Sequence, residues 1–370
     1  MSLPTATRLL EEGIANGLHP GAQLYVSLGG RTVGDLAVGE SRPGEAMTPD
    51  LLSLWLSAAK PLTAAAVVRL SETGALNLDE PVARHLPDFA QGGKENVTLR
   101  HLLTHTGGFR TREVGLLRSW EENLTRICAA PLEAGWVPGE RTAYQPASSW
   151  FVLGEILQRV TGEPFQSHLR ERVLLPLGMD DSWPGMPPEV YEALRHRLVP
   201  AYRADGTGAS GGGWRPYPWD GESYVARSSP AENSWGPARD LGRFYEALLD
   251  GGRGVLSPAG AAALTTPAAP AAGTGAFDES LQRVVCWGLG LRINGPTPEG
   301  GLSEAGEMGR HASPGAFGHG GFRSSLGFAD PAHGLVLVLV ANGLPDGPRH
   351  RKRMRTVAEA VYSDLGLTRP

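Results

Sequence analysis

Residues 321–343 read GFRSSLGFADPAHGLVLVLVANG, and their pattern decides the fold. The pattern predicts a strand that starts at Phe322, a turn at the Asp-Pro pair, and a central buried strand in the apolar run 335–342. A periodic segment at 354–366 (MRTVAEAVYSDLG) predicts a closing helix. The C-terminal part of the chain therefore supplies antiparallel strands and a helix that packs on them.

The N-terminal part predicts the rest of the same sheet. Residues 21–40 (GAQLYVSLGGRTVGDLAVGE) alternate around Gly29-Gly30, which indicates two antiparallel strands joined by a tight turn. Apolar residues at three- and four-residue steps predict helices in the centre of the chain. These helices span residues 57–74, 98–105, 149–161, 164–175 and 238–250. Segments 203–236 and 266–283 are rich in Gly, Pro, Ala and Ser, and we expect long loops there.

Strands from both termini and helices from the centre predict an α+β fold. One antiparallel sheet with flanking helices is expected from residues 1–50 and 285–370. A mainly helical subdomain, residues 51–284, is expected to be inserted into it. A length of 370 residues suits one large domain of this kind, with a crevice where the two subdomains meet.

Charge and cysteine usage exclude several classes of partner. The formal net charge is −5 without a stripe of Lys and Arg, which argues against nucleic acid and membrane surfaces, and the basic run 349–355 is expected to be the exposed start of a helix. Cys128 and Cys286 are the only cysteines and are predicted to be free, buried thiols. Residues 1–21 lack the apolar core of a signal peptide, which predicts a cytoplasmic protein.

The stretch LSAAKPLTAAAVVRL (56–70) carries a candidate catalytic pair, Ser57 and Lys60. A serine hydroxyl is a poor nucleophile unless a base within hydrogen-bond reach takes its proton. Lysine can be that base when apolar surroundings lower its pKa, and residues three apart on a helix share a face. Pro61 and the capping preference of serine predict a helix start at about Ser57, where backbone N–H groups stabilise negative charge.

Ser-x-x-Lys also occurs by chance on capped surface helices, so companion residues decide its meaning. Several further segments follow in a fixed order along the chain. They read LNLDEPVARHLPDF, VTLRHLLTHTGGF, PGERTAYQPASSWFVLGEILQRVTGEPF, LLPLGMDDS, WGPARDLGRFYEALLDGG, WGLGL and FGHGGFRSSLGFADP. With LSAAKP, this order resembles the serine β-lactamase and penicillin-binding-protein superfamily. The class C-like branch, with family VIII carboxylesterases and β-lactamase-like acyltransferases, is the most similar.

The resemblance implies further site residues. Tyr144 in TAYQPAS matches the tyrosine of the family's Tyr-x-Asn motif, and implies a proton-transfer role shared with Lys60. Pro146 stands where the family has asparagine, so no amide can orient a substrate there. Substrate recognition on this side of the site should therefore differ from that of true β-lactamases.

The third motif of the family, Lys-Thr-Gly, aligns with His319-Gly320-Gly321. Glycine there allows close approach of the strand edge, and a backbone N–H near Gly321 or Phe322 is expected to be the second oxyanion donor beside that of Ser57. His319 is expected to hydrogen-bond Tyr144 or the substrate. Loss of the lysine charge favours neutral esters over a β-lactam carboxylate.

Other candidates are weaker. Trp235 and Trp287 are candidate pocket residues, although tryptophans are commoner in cores than in pockets. His101 and His105 have the spacing of metal ligands on a helix, but no third ligand accompanies them and their structural interpretation is preferred. We predict neither a metal site nor a cofactor.

The sequence thus predicts an acyl-transfer enzyme with an acyl-Ser57 intermediate on a small carboxylic ester. Water would make it an esterase; an amine or alcohol acceptor would make it a transacylase of the kind that this family supplies to natural-product pathways. The alternatives are a β-lactamase or D-amino-acid peptidase, and a binding or sensor protein that keeps the fold without turnover.

Overall fold

The computed structural model describes residues 2–111, 114–115, 118–204, 213–268, 275–304 and 306–368. The strands are β1 (Gly21–Leu28), β2 (Arg31–Arg42), β3 (Glu45–Ala46), β4 (Ser53–Leu54), β5 (Tyr202–Ala204), β6 (Trp214–Pro216), β7 (Trp235–Gly236), β8 (Ala276–Asp278), β9 (Arg283–Trp287), β10 (Arg292–Ile293), β11 (Phe317–Gly320), β12 (Ser325–Asp330), β13 (Leu335–Ala341) and β14 (Gly343–Leu344). The α-helices are α1 (Pro4–Ala15), α2 (Lys60–Glu72), α3 (Leu99–Leu103), α4 (Trp120–Ala129), α5 (Ser148–Thr161), α6 (Phe165–Leu169), α7 (Pro188–Leu194), α8 (Glu222–Val225), α9 (Ala238–Leu249), α10 (Pro258–Thr265) and α11 (Gly347–Asp364).

The main sheet is antiparallel, and within the described ranges it has nine strands in the order β3-β2-β1-β13-β12-β11-β10-β9-β8. β13 is hydrogen-bonded to β1 on one side and to β12 on the other, and all seven of its residues are buried. β1 and β2 form the predicted hairpin around Gly29-Gly30. The α+β fold, the N-terminal hairpin and the central buried strand are confirmed.

Successive residues of β13 belong to two different cores because side chains alternate between the faces of a strand. Leu337 and Leu339 pack with residues of the terminal helices α1 and α11. Val336 and Val338 pack on the other face with α9 and the central helices. Both faces of the strand are covered, which explains why its sequence is a continuous apolar run.

The five predicted central helices are present as α2, α3, α5, α6 and α9. The sequence did not predict α4, α7 or α10. The predicted helix at 164–175 ends its α-helical part at Leu169 and continues as a π-helical turn over Arg170–Leu174.

The strand predicted to start at Phe322 begins instead at Ser325, and that prediction is wrong. Phe322 lies in the preceding turn with 52% of its surface exposed, and His319 lies in β11 before it. The turn closes because the Gly321 N–H donates to the Ser325 carbonyl over 2.8 Å, while Arg323 adopts a left-handed φ of 51°. Apolar alternation alone does not reveal such a turn.

The segment 203–236 is not one long loop, which corrects the sequence prediction. β5 pairs with β6 and with β14, and α8 and β7 follow in the same segment. β8 lies within the second predicted loop, 266–283. Elements of two to four residues are too short to show a periodicity in the sequence. Residues 205–212 and 269–274 of these predicted loops lie outside the described residues.

The basic run 349–355 lies in α11 as expected, but its predicted exposure is wrong at two positions. His350 and Arg353 are buried. Arg353 donates to the carbonyl oxygens of Leu18 over 2.8 Å and of Arg323 over 3.0 Å. These carbonyl groups replace water around the guanidinium and connect α11 to the N-terminal segment and to the turn after β11.

The remaining fold predictions concern the cysteines and the subdomains. Cys128 and Cys286 are buried and free, as predicted. The subdomain boundaries at residues 51 and 284 stay a prediction. Among the helices in the described parts of the chain, none has the length and apolarity needed to cross a bilayer.

Candidate active site

The segment before Ser57 is held by contacts on both sides. The Trp55 N–H donates to the Ser234 carbonyl over 3.0 Å, and the Ser325 hydroxyl donates to the Trp55 carbonyl over 2.7 Å. Leu56 has a left-handed φ of 52°, a conformation that costs a non-glycine residue roughly 1–3 kcal/mol. The surrounding contacts therefore hold a strained turn, which positions the Ser57 side chain.

Gly321 is required by the close approach of this turn to the end of β11. A Cβ atom on Gly321 would lie 2.3 Å from the Trp55 carbonyl oxygen and 2.2 Å from the Ser325 hydroxyl oxygen. Any side chain would displace the segment that carries Ser57. From the sequence, glycine was expected here because a ligand approaches the strand edge closely. In the structure, the group that approaches Gly321 is the turn at Trp55 and Leu56, which carries Ser57.

Lys60 is buried and reaches Ser57. Its Nζ lies 2.9 Å from the Ser57 hydroxyl oxygen and 2.8 Å from the Ala231 carbonyl oxygen, and the residue has no exposed surface. Burial lowers the pKa of Lys60 to about 7, and the Glu232 carboxylate opposes this shift. A substantial fraction of Lys60 is therefore uncharged near neutral pH and able to accept a proton.

The start of the helix differs from the prediction. α2 begins at Lys60, and Ser57 lies in a preceding 3-10 helix, Leu56–Ala59, in which its hydroxyl does not cap the backbone. Pro61 occupies the first turn of α2, where a proline is tolerated. The 3-10 turn, rather than an N-cap, brings the two side chains together.

Tyr144 is the third group at this point. Its ring centroid lies 5.6 Å from Lys60 Nζ, and the phenol is close enough to Ser57 for the serine hydroxyl to lower the phenol pKa. Trp287 stacks on the ring with 5.8 Å between centroids, and Asp278 accepts hydrogen bonds of 3.1 Å from the Tyr144 N–H and the Trp287 Nε1–H. Burial raises the pKa of Tyr144 above its usual value, so the phenol is protonated at neutral pH.

His319 contributes a neutral ring beside Tyr144, with 6.0 Å between ring centroids. Its Nδ1 lies 2.7 Å from the Gly320 carbonyl oxygen, so Nδ1 carries the proton and Nε2 is an acceptor. Nε2 is buried, and no described residue hydrogen-bonds with it. Burial and the nearby Arg292 charge lower the pKa of His319 well below its ordinary value. The ring therefore offers a substrate a lone pair rather than a positive charge.

His105 also lies in the site, although the sequence analysis preferred a structural role for it and so missed this position. Its ring centroid is 4.9 Å from that of Tyr144 and 4.4 Å from that of Trp287. The Gln145 N–H donates to Nδ1 over 3.1 Å, which places the proton on Nε2, an atom without a partner in the described part of the chain. The available signal was its position in the ordered segment VTLRHLLTHTGGF. No group of metal-ligating side chains occurs among the described residues.

Two backbone N–H groups that the sequence analysis proposed as oxyanion donors have no hydrogen-bond partner among the described residues. The Gly321 N–H is used by the Ser325 carbonyl, whereas no hydrogen bond within the described ranges uses the N–H of Ser57 or of Phe322. The second oxyanion donor stays a prediction, for which the Phe322 N–H is the candidate because the Gly321 N–H is already used.

The two candidate pocket tryptophans have different surroundings. Trp287 stacks on Tyr144 and therefore lies at the Ser57 site. Trp235 has no exposed surface and belongs to a separate apolar cluster with Leu54 and Met186. Its Nε1–H donates to the Asn233 side-chain oxygen over 2.8 Å. Trp235 is thus a core residue of the neighbouring segment.

Glu232 is a second residue that sequence reasoning missed. It follows Ala231, whose carbonyl accepts a hydrogen bond from Lys60. Its carboxylate acts electrostatically on Lys60 and on Tyr144. Burial raises the pKa of Glu232, and the Lys60 charge lowers it. No sequence motif marks this glutamate, so only the folded chain reveals its place beside Lys60.

Comparison with known proteins adds independent information. The Beta-lactamase family profile matches residues 6–362. Esterase EstB from Burkholderia gladioli is 38% identical over 159 residues, or 37% of this chain and 40% of the esterase. Penicillin-binding protein 4 from Amycolatopsis lactamdurans is 32% identical over 290 residues, or 74% of this chain and 71% of that protein. A penicillin-binding protein homolog from Caulobacter crescentus has a crystal structure with a TM-score of 0.77 at 27% identity, covering 98% of this chain and 97% of that one.

The fold and these relatives define a serine enzyme that transfers acyl groups. The chain belongs to the Beta-lactamase family, because the family profile covers nearly its whole length. The family resemblance indicated by the ordered motifs is confirmed. The chain matches about two fifths of the length of EstB, so the substrate of that esterase is not assigned to it.

Proposed function

We propose that this enzyme transfers the acyl group of a small carboxylic ester through an acyl-Ser57 intermediate. The observation that carries the proposal is the 2.9 Å contact between the Ser57 hydroxyl oxygen and the buried Nζ of Lys60. A hydroxyl becomes an effective nucleophile where a neighbouring base takes its proton. Burial lowers the pKa of Lys60 to about 7, which supports Lys60 as that base.

In the first half-reaction, Lys60 accepts the Ser57 proton as the serine oxygen bonds to the ester carbonyl carbon. The carbonyl oxygen becomes an oxyanion, which the N–H groups of Ser57 and Phe322 bind. When the ester C–O bond breaks, the leaving alkoxide takes a proton from Tyr144, and Tyr144 recovers one from Lys60. The product is acyl-Ser57 and a free alcohol.

In the second half-reaction, the same groups take a proton from the acceptor as it attacks acyl-Ser57. Water as the acceptor gives an esterase, and an amine or alcohol gives a transacylase. The enzyme's partners are therefore small molecules: an acyl ester and, for transacylation, an acceptor. The cytoplasmic location stays a prediction from the N-terminal sequence.

The charges around the site disfavour an anionic substrate such as a β-lactam, which carries a carboxylate. His319 is neutral, and Pro146 has no amide to bind a substrate. The buried Arg292 guanidinium, whose charge acts on His319, forms ion pairs with Glu304 at 3.0 Å and Glu307 at 2.8 Å. Its charge is thus already compensated within the protein.

Labelling with a fluorophosphonate tests the nucleophile. We expect one adduct by intact mass on the wild-type protein, located on Ser57, and no adduct on Ser57→Ala. Ser71→Ala, at the other end of α2, is the matched control and should label like the wild type. An adduct located on another residue would overturn the assignment.

Turnover assays separate the alternatives. Hydrolysis of p-nitrophenyl butyrate that depends on Ser57 supports an ester substrate, whereas nitrocefin turnover at a comparable rate supports a β-lactamase or peptidase, as the similarity to a penicillin-binding protein would suggest. Ester cleavage no faster than in buffer supports the sensor alternative. Offering water, amines and alcohols to the trapped acyl-enzyme then separates esterase from transacylase.

A further inference from the structure

The Glu232 side chain has an unusual position for a carboxylate. It is half-buried beside the Ser57–Lys60 pair, and its Oε1 lies 3.7 Å from where a Cβ of Gly115 would stand. Lys60 Nζ donates to Ser57 and to the Ala231 carbonyl, not to this carboxylate. None of the hydrogen bonds and ion pairs formed among the described residues uses the Glu232 carboxylate. Within the described ranges, this carboxylate beside the active site therefore has no hydrogen-bond donor.

Three aromatic rings form a stack that ends next to Glu232. The rings of Tyr217 and Trp219 are 4.2 Å apart at 11°, and those of Trp219 and Tyr224 are 5.8 Å apart at 20°. Tyr224 is close enough to Glu232 for the carboxylate to raise the pKa of its phenol, an effect that adds to burial. The Asn233 side chain donates to the Tyr224 carbonyl over 3.0 Å. Because Asn233 directly follows Glu232, this hydrogen bond connects the segment that carries the carboxylate to the segment that carries the last ring of the stack.

This combination matches the chemistry of a cation. A carboxylate without internal donors binds ammonium hydrogens or a quaternary ammonium charge, and aromatic faces attract the same charge through their quadrupoles. Neutral esters gain nothing from a buried carboxylate, since its desolvation is then uncompensated. A substrate with a positive charge would supply the missing partner.

We propose that Glu232 and Tyr224, the ring at the Glu232 end of the stack, bind a cationic amine group carried by the substrate, on either the acyl donor or the acceptor; Tyr217 and Trp219 support the Tyr224 ring, since Trp219 lies between the two tyrosines and Arg203 already faces Tyr217. The inference deepens the proposed acyl-transfer function and rests on it. In an acceptor, the bound cation is separate from the amine or alcohol that attacks acyl-Ser57, because a protonated amine has no free electron pair.

A pair of isosteric esters tests the donor. p-Nitrophenyl 4-(trimethylammonio)butyrate and p-nitrophenyl 5,5-dimethylhexanoate differ only by a charged nitrogen in place of a carbon. In the wild type we expect the higher kcat/KM for the cationic ester. Glu232→Gln should lower the ratio of the two kcat/KM values by roughly 10- to 100-fold, the size of a lost charged interaction. The ratio is the useful quantity because a changed Lys60 pKa affects both esters equally.

Two further variants sharpen this test. Glu11→Gln makes the same change of charge at an exposed position of α1, which packs on the opposite face of the main sheet, and should leave the ratio within about twofold, because a distant surface charge is screened. Trp219→Leu removes the central ring of the stack and should lower the ratio by roughly three- to fivefold. Equal falls in Glu11→Gln and Glu232→Gln would mean a general charge effect and would overturn the proposal.

A second pair of isosteres tests the acceptor. After acylation by the neutral ester, choline and 3,3-dimethylbutan-1-ol compete with water for acyl-Ser57. A preference for choline that Glu232→Gln abolishes places the cation on the acceptor. If neither the ester pair nor the alcohol pair shows a preference that depends on Glu232, the inference is wrong.

Binding without turnover separates this inference from the proposed function. In the Ser57→Ala protein, calorimetric titration with butyltrimethylammonium should give a Kd that rises roughly tenfold or more when Glu232→Gln is added. A Kd unchanged by Glu232→Gln overturns the cation site even if esters turn over. Ester turnover that is absent from the wild type overturns the proposed function even if the cation binds.

Discussion

Two of the chain's three lysines are fully buried, and their surroundings differ. Lys94 donates to the carbonyl oxygens of Gln91 at 2.7 Å and Cys128 at 3.0 Å, and also to that of Ala130. These three acceptors match the three hydrogens of an ammonium group. Lys60 has one carbonyl acceptor and, as its second partner, the Ser57 hydroxyl.

Burial lowers the pKa of both lysines, so burial alone does not separate them. Their partners do. Carbonyl oxygens can only accept hydrogen bonds, so the surroundings of Lys94 favour an ammonium that connects the turn at Gln91 to the C-terminal end of α4. A hydroxyl can give up its proton, so the surroundings of Lys60 allow an uncharged amine to act as a base. Lys94 should therefore matter for stability, and Lys60 for activity.

The largest expected effect is that of Lys60→Met on activity. We expect kcat/KM for p-nitrophenyl butyrate to fall by roughly 10⁴-fold or more, as when a nucleophile loses its base. The free energy of unfolding, measured by denaturant titration, should change by less than about 1 kcal/mol, because an apolar side chain replaces a buried amine that has no ion pair. Activity within tenfold of the wild type would remove Lys60 from the mechanism.

Tyr144→Phe should have the next largest effect. Loss of the phenol proton should lower turnover by roughly 100-fold or more, the size of general acid–base assistance. Tyr25→Phe is a matched control, because it also removes a buried phenol hydroxyl. The Tyr25 hydroxyl donates to Glu246 over 2.7 Å and does not belong to the Ser57 site. Equal turnover by Tyr144→Phe and Tyr25→Phe would contradict a role for Tyr144 in proton transfer.

Lys94→Met should show the opposite pattern to Lys60→Met. The three carbonyl oxygens would lose their donor, so the free energy of unfolding should fall by roughly 2–4 kcal/mol. The folded protein should keep its kcat/KM. Lys352→Met, at an exposed position on α11, controls for loss of a lysine and should stay within about 0.5 kcal/mol of the wild type. A large loss of activity in folded Lys94→Met would break the contrast between the two lysines.

The smallest expected effect is that of Glu232→Gln on the pH dependence of kcat/KM. The uncharged form of Lys60 is the active one, so kcat/KM for a neutral ester should rise with pH through about 7. The negative charge of Glu232 holds the pKa of Lys60 up, so Glu232→Gln should move this rise to lower pH. Stopped assays across pH 5–9 would measure this shift, with Glu11→Gln at an exposed position of α1 as the control. If kcat/KM rises over the same pH range in Glu232→Gln as in the wild type, Glu232 does not act on Lys60.

Much of the fold and part of the site could be predicted before the structure. Alternation in 21–40 and the apolar run at 335–342 indicated the hairpin and the central strand, because each depends on neighbours along the chain. The three-residue spacing of Ser57 and Lys60 placed them on one turn. The turn at Phe322 was missed, since it depends on a hydrogen bond across β11 and β12.

The sequence by itself determined the local geometry: which segments form strands and helices, and which serine lies one turn from which lysine. Tertiary structure alone decided the chemistry of that lysine. The Ala231 carbonyl that binds Lys60 comes from 171 residues away, and Glu232 and His105 reach the site through folding. A pKa depends on desolvation and on charges at distances through space, and those distances exist only once the chain has folded.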